Sequence, residues 1–193
     1  MDEYPKELDL IDKTRVTIRP VEPVDVDGLY EFFSKIPRLD LLIYKDDVTK
    51  WGNVEDWLAA SNDGRAFQLV ALSKDKIVAK GSLHSEGLSW SHAAELKLII
   101  DSDYRGIGLG SQLFNVLLYE GLKRHFQKII VRYMPDNISF TKILSHYGFK
   151  PETVLSCYVK DESSGITKDL VIASFSLENW ERRFEFYSSI YRQ

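Results

Sequence analysis

The chain has 193 residues, 44% of them hydrophobic, which suits one domain (1–193) with a full apolar core and is ordinary for a soluble globular protein. Its net charge of −4 weighs against nucleic acid as the main partner, and its single cysteine, Cys157, excludes an internal disulfide and points to a reducing, cytoplasmic setting. No apolar run approaches the roughly twenty residues of a membrane span, and the polar start Met1-Asp2-Glu3-Tyr4-Pro5 does not read as a signal peptide.

Residues 14–20 alternate as a strand does and are closed by Pro20 and Pro23. A helix follows, with Asp25 near its start, Val26, Leu29, Tyr30, Phe33 and Ile36 at helical spacing, and Pro37 at its end. Residues 38–56 read as irregular, with a short helix near 53–60 that holds Trp57. Two strands, 66–73 and 76–86, meet at the turn Lys74-Asp75, and after the turn from Gly87 to Ser91 a further strand runs from Ala93 to Asp101. The next helix extends to about Arg124. Lys128 to Met134 is a strand, broken by Pro135-Asp136-Asn137, and residues 138–147 form a helix stopped by Gly148. Strands near 151–160 and 168–177 flank a polar turn. Residues 178–191 form an amphipathic helix with Trp180, Phe184, Tyr187 and Tyr191 on one stripe. The order βααβββαβαββ, with a terminal helix, is an α/β (α+β) arrangement: a mixed sheet with helices on both faces.

The stretch from Leu98 to Leu113 carries the strongest chemical signal. An apolar strand enters a turn holding Arg105 and glycines at 106, 108 and 110, and Leu109, Leu113, Val116 and Leu117 then mark the buried face of a helix. Glycine lets backbone approach a ligand closely, and a helix start offers unpaired N–H groups and partial positive charge, so the unit suits phosphate. The spacing fails the dinucleotide fingerprint, and Ser111-Gln112 after Gly110 fails the Walker loop. A strand–helix turn that merely favours glycine is the plain alternative.

Arg-Gly-x-Gly-x-Gly at 105–110 resembles the pyrophosphate-binding motif of the GCN5-related N-acetyltransferases (GNAT). Ile18-Arg19-Pro20, followed by an acidic residue and a helix, resembles that family's opening. The run from Asn137 to Gly148-Phe149 resembles its Asn-to-Gly-Phe helix, with the same eleven-residue gap. The resemblance spans 14–160, so residues 178–193 count as an added C-terminal helix. It implies a largely antiparallel central sheet of about seven strands, and an enzyme that moves an acetyl group from acetyl-CoA to a primary amine by direct attack in a ternary complex. No metal is implied.

The resemblance also implies site residues. Backbone groups of Leu98, Ile99 and Ile100 would bond the pantetheine arm where the sheet splays open, with the Ile100 N–H as an oxyanion donor. Arg105, Gly106, Ile107, Gly108, Leu109 and Gly110 would hold the pyrophosphate; the Arg105 side chain either contacts phosphate or stabilises the turn. Asn137 would bond the arm, cap the helix after it, or both. Glu95, where the family often has glutamate, shares a strand face with Lys97 and Ile99 and is the candidate base; a solvated or salt-bridged strand carboxylate is the alternative. His84, on the preceding strand, is a lesser candidate to assist or replace it. The family's thiolate-protonating tyrosine falls at Leu144, and Phe140 stands where a small residue is usual. Tyr147 is therefore the candidate acid, with packing beside Gly148-Phe149 as its other reading, and Tyr133 and Tyr158 as further donors; coenzyme A thiolate is also a tolerable leaving group, so a route without an acid stays open.

A lysine amine, pKa about 10.4, costs about 4–5 kcal/mol to deprotonate at pH 7, against about 1–1.5 kcal/mol for an α-amino group. The acceptor is open among small-molecule, polyamine and protein amines. Residues 38–56, with Asp40, Asp46, Asp47, Glu55 and Asp56 against Arg38, Lys45 and Lys50, carry a net −2 that would attract a cation or merely be solvated. The tail stripe either packs on its own sheet or joins a homodimer. Leu144 keeps a non-catalytic acyl-CoA sensor or scaffold as the alternative function, and a nucleotide-binding domain of another α/β class stands third.

Overall fold

The structure is a computed structural model that describes residues 4–44, 48, 50, 52 and 64–177. Eight strands form one sheet: β1 (Lys6–Asp9), β2 (Arg15–Pro20), β3 (Ala66–Ser73), β4 (Lys76–Ser85), β5 (Ala93–Ile100), β6 (Lys128–Tyr133), β7 (Lys150–Lys160) and β8 (Thr167–Ser176). Their order is β1-β2-β3-β4-β5-β6-β8-β7, with every neighbouring pair antiparallel except β5 and β6. Among the described residues the helices are α1 (Val26–Lys35), α2 (Arg38–Leu41), α3 (Leu109–Lys123) and α4 (Ile138–Tyr147). None of these is long and apolar enough to cross a membrane.

The mixed sheet with helices on both faces agrees with the sequence reading, with one strand more than expected. The addition is β1, an edge strand of half-buried and exposed residues whose Lys-Glu-Leu-Asp sequence offers no apolar run. Arg38–Leu41 forms a single helical turn inside the stretch read as irregular. The short helix expected near 53–60 and the amphipathic tail at 178–191 lie outside the described residues, and with the tail goes its dimer contact.

Two cores hold the layers together. On one face α3 presents Leu109, Leu113, Phe114, Leu117 and Leu118, all fully buried, to Ile18, Leu69, Ala79, Leu83 and Leu96 of the sheet. Gly81 of β4 sits under this helix: a Cβ there would lie 2.7 Å from Leu117 Cδ1. On the other face α1 packs Leu29, Phe32 and Phe33 with Tyr44 and Val48 against Val70, Ile77 and Ile99.

The feature that positions the site is the seam between β5 and β6. Their ladder consists of Ala93–Lys128, Ala94–Ile129 and Glu95–Ile130 and then stops, while β4 stays paired with β5 to Ile100 and β8 with β6 to Tyr133. The sheet therefore splits into a V whose arms are residues 96–100 and 131–133.

The wedge that fills the lower face of the V is aromatic. Phe114 of α3 has its ring 6.0 Å from Phe140, 5.1 Å from Tyr147 and 5.6 Å from Phe149. Phe114→Ala is expected to lower unfolding stability by about 3–5 kcal/mol, read as a reduced urea midpoint at unchanged m-value.

Candidate active site

The Asp101 N–H donates to the Val78 carbonyl on β4. By strand alternation Ile99 and Lys97 also turn their backbone groups to β4, so Leu96, Leu98 and Ile100 point theirs into the V. The Ile100 carbonyl confirms this direction, accepting from the Arg105 guanidinium at 3.0 Å (Nε) and 2.9 Å (Nη2). Of the strand positions singled out from sequence, Leu98 and Ile100 thus present backbone to the opening, whereas Ile99 presents its side chain, from the opposite face.

The glycine turn closes one end of the V. Gly106 and Gly108 adopt φ of +77° and +94°, values that strain any other L-residue, and Gly108 caps α3. The first intrahelical bond is Gln112 N–H to Gly108 C=O at 3.1 Å, so the N–H groups of Leu109, Gly110 and Ser111 have no partner inside the helix. The β1–β2 turn braces the loop through Ile11 N–H to Ile107 C=O at 3.1 Å, and a Cβ on Gly108 would lie 3.3 Å from Ile11 Cδ1. Besides Ile100, the Arg105 guanidinium holds Asp40 at 2.7 Å, so its side chain ties the turn to α2. α2 is held from the other side by Arg38 and Asp161 at 2.7 Å.

A cavity of about 820 Å³ runs through the split. Leu98, Ile100 and the glycines form one wall, Tyr133, Asn137, Phe140, Ile143 and Tyr147 the other, and Leu39 and Ile43 reach it from the α1 side. The Asn137 side chain accepts the Phe140 N–H at 3.1 Å, capping α4, and Asn137 also lines the cavity. Leu144 is buried in the core, and Tyr158 is 66% exposed on β7, apart from the cavity. Burial pushes the phenols of Tyr133 and Tyr147 up.

Glu95 lies at the apex of the V, on the face covered by α1. Its carboxylate accepts from Arg132 at 2.8 Å and stands 3.6 Å from Lys97 Nζ; Arg132 also approaches Glu86 at 3.7 Å. Next to it β4 supplies a buried polar row. Lys80 is 1% exposed, burial and then Lys97 push its ammonium down to about 7, and His84 Nε2 lies 2.9 Å from Ser82 Oγ. Burial, then Lys80 and Lys97, push His84 down to about 3, so it stands neutral. Burial, with Glu95 nearby, pushes the Tyr44 phenol up. The sequence reading missed Lys80 and Arg132; the signal was Lys80-x-Ser82-x-His84, polar residues at period 2 in an otherwise apolar strand.

A family model described as "Acetyltransferase (GNAT) domain" matches residues 15–150. The N-acetyltransferase of Staphylococcus aureus Mu50 superposes with a TM-score of 0.74 at 16% identity, over 84% of this chain and 98% of that one. The ribosomal-protein-S5-alanine acetyltransferase of Vibrio fischeri gives 0.72 at 20% identity, over 86% and 94%. The Salmonella typhimurium protein yncA, whose structure contains its cofactor acetyl-CoA, gives 0.71 at 16% identity, over 84% and 94%. At these identities the likeness is one of fold.

Because His84 is held neutral when folded and charges readily when unfolded, acid favours the unfolded chain. Its share of stability is full above about pH 6.5 and is lost as pH falls from there toward 3. The His84→Gln variant is expected to lose less stability than the native chain between pH 6.5 and 4, measured by urea unfolding across that range.

Proposed function

The chain belongs to the GNAT acetyltransferase family, and from that premise we propose that it transfers an acetyl group from acetyl-CoA to a primary amine by direct attack in a ternary complex. The observation that carries this reading is the open β5 edge beside the glycine turn. An extended amide-bearing arm can bond Leu98 and Ile100 as a strand would, while N–H groups at the start of α3 face a diphosphate. In this reading Arg105, Gly106, Ile107, Gly108, Leu109 and Gly110 form the phosphate turn, with Arg105 acting as its brace. Asn137 borders the arm, and Ile99 helps wall the cleft from the α1 side.

Direct transfer needs a neutral amine, a polarised carbonyl and a route for one proton. A backbone N–H on the inner edge of β5, aimed into the V, polarises the thioester carbonyl. Glu95, directly or through water, accepts the proton lost by the amine, and its bond to Arg132 fixes the carboxylate at the apex. Lys80, Lys97 and Arg132 share that face with Glu95 and Glu86.

The acceptor remains a primary amine of small-molecule, polyamine or protein origin. The substrate named for the Vibrio fischeri relative puts an α-amino group first in a screen, and its lower pKa makes it the easier nucleophile. The single cysteine supports a reducing, cytoplasmic setting. The second reading, a non-catalytic acyl-CoA sensor of the same fold, draws on Leu144 and on the ion-paired state of Glu95.

Calorimetric titration with acetyl-CoA, followed by an amine screen, tests the proposal. The native chain is expected to bind acetyl-CoA and acetylate at least one amine. Gly108→Trp, checked for folding, is expected to lose binding. Glu95→Gln is expected to retain binding and lower kcat by about 10²–10⁴-fold. Binding without turnover across the panel would select the sensor.

A further inference from the structure

Acetyl transfer leaves coenzyme A as a thiolate that must gain a proton. Leu144 stands where the resemblance places a phenol; it is 3% exposed and packed into the core, so it has nothing to give. Two other phenols line the cavity, Tyr133 and Tyr147.

Resting on the acetyl-transfer reading above, we propose that Tyr133 is the general acid that protonates the departing thiolate, a role that the fold moves from α4 to β6. Register argues for it first. The parallel ladder ends at Glu95–Ile130, and three residues further along each arm bring Tyr133 level with Leu98, across the gap. The arm that bonds Leu98 and Ile100 therefore passes opposite Tyr133 on its way from the glycine turn toward the apex.

The surroundings of the side chain argue for it next. Tyr133 is 7% exposed, anchored in the main core, and set edge-on to Phe140 with ring centroids 5.9 Å apart. Phe140, the bulky residue where the family usually has a small one, is thus the ring that Tyr133 packs against. No hydrogen bond joins the Tyr133 hydroxyl to another described residue, yet no polar side-chain atom among the described residues is sealed away without a partner. The hydroxyl therefore opens into the cavity that the ring lines. Burial pushes the phenol up, so it still holds its proton at neutral pH when the thiolate forms beside it. Tyr147, by contrast, lies seven residues beyond Phe140, roughly 10 Å along α4, with its ring against Phe114 of α3.

The step balances. The amine nitrogen bonds to the carbonyl carbon, and the C–S bond breaks with its electron pair going to sulfur. Sulfur takes the proton of the Tyr133 hydroxyl. The proton lost by nitrogen passes to Glu95, which releases it to water, and the phenolate takes one back from water, so amide and thiol leave with the protein unchanged.

Tyr133→Phe keeps the ring and removes only the proton. In the full chain, with an amine that the native protein acetylates, this variant is expected to lower kcat by about 10²-fold or more. KM and calorimetric Kd for acetyl-CoA are expected to stay within about twofold of native, a difference near 0.4 kcal/mol, and the melting temperature to hold. Retention of native kcat by Tyr133→Phe would overturn the proposal, as would a loss confined to Tyr147→Phe. If the native chain binds acetyl-CoA but turns over no amine, acetyl transfer itself fails and the acid with it, an outcome distinct from loss in the variant alone.

Discussion

The structure depends on a hydrogen-bond ladder that ends early. β5 and β6 pair over three positions and part, although each keeps its outer neighbour to its last residue. Backbone N–H and C=O groups are obligate hydrogen-bonders, so an inner edge without a strand is an edge prepared for something else. One carbonyl on it, that of Ile100, is already taken by Arg105. The Leu98 groups and the Ile100 N–H face the cavity. The same guanidinium holds Asp40, and Arg38 on that helical turn holds Asp161. α2 thus spans from the glycine turn beside β5 to the β7–β8 turn, from one arm of the V to the other.

What could be read from the sequence is what local physics dictates. The glycines at 106 and 108 sit at positive φ and Asn137 caps its helix through its own side chain, features set by a few neighbouring residues. The strands of the central sheet were legible as apolar runs. Long-range relations were not. β1 is a strand only because β2 lies beside it, and its short charged sequence carries no periodic signal. The Arg105–Asp40 bond joins residues sixty-five apart in the chain. The seam between β5 and β6 enters this sequence only through the resemblance to a family.

The α1 face of the sheet shows how chemistry follows from packing. A lysine, a serine and a histidine at alternate positions of β4 are carried into the layer under α1 and Tyr44, beside Glu95, Lys97 and Arg132. Removing water lowers the proton affinity of Lys80 and His84. The same burial raises Tyr133 on the opposite face of the seam. Groups that tend to lose protons and a group that keeps one are thus separated by the cleft in which the proposed transfer takes place.

The central claim is that the inner edge of β5 is the binding strand for the pantetheine arm. Backbone amide hydrogen exchange, followed by NMR with and without saturating acetyl-CoA, tests it most directly. The account predicts slowed exchange at Leu98 and Ile100 and in the turn from Gly106 to Ser111, while Lys97 and Ile99, already bonded to β4, change little. Tight binding that leaves Leu98 and Ile100 exchanging as before would contradict it.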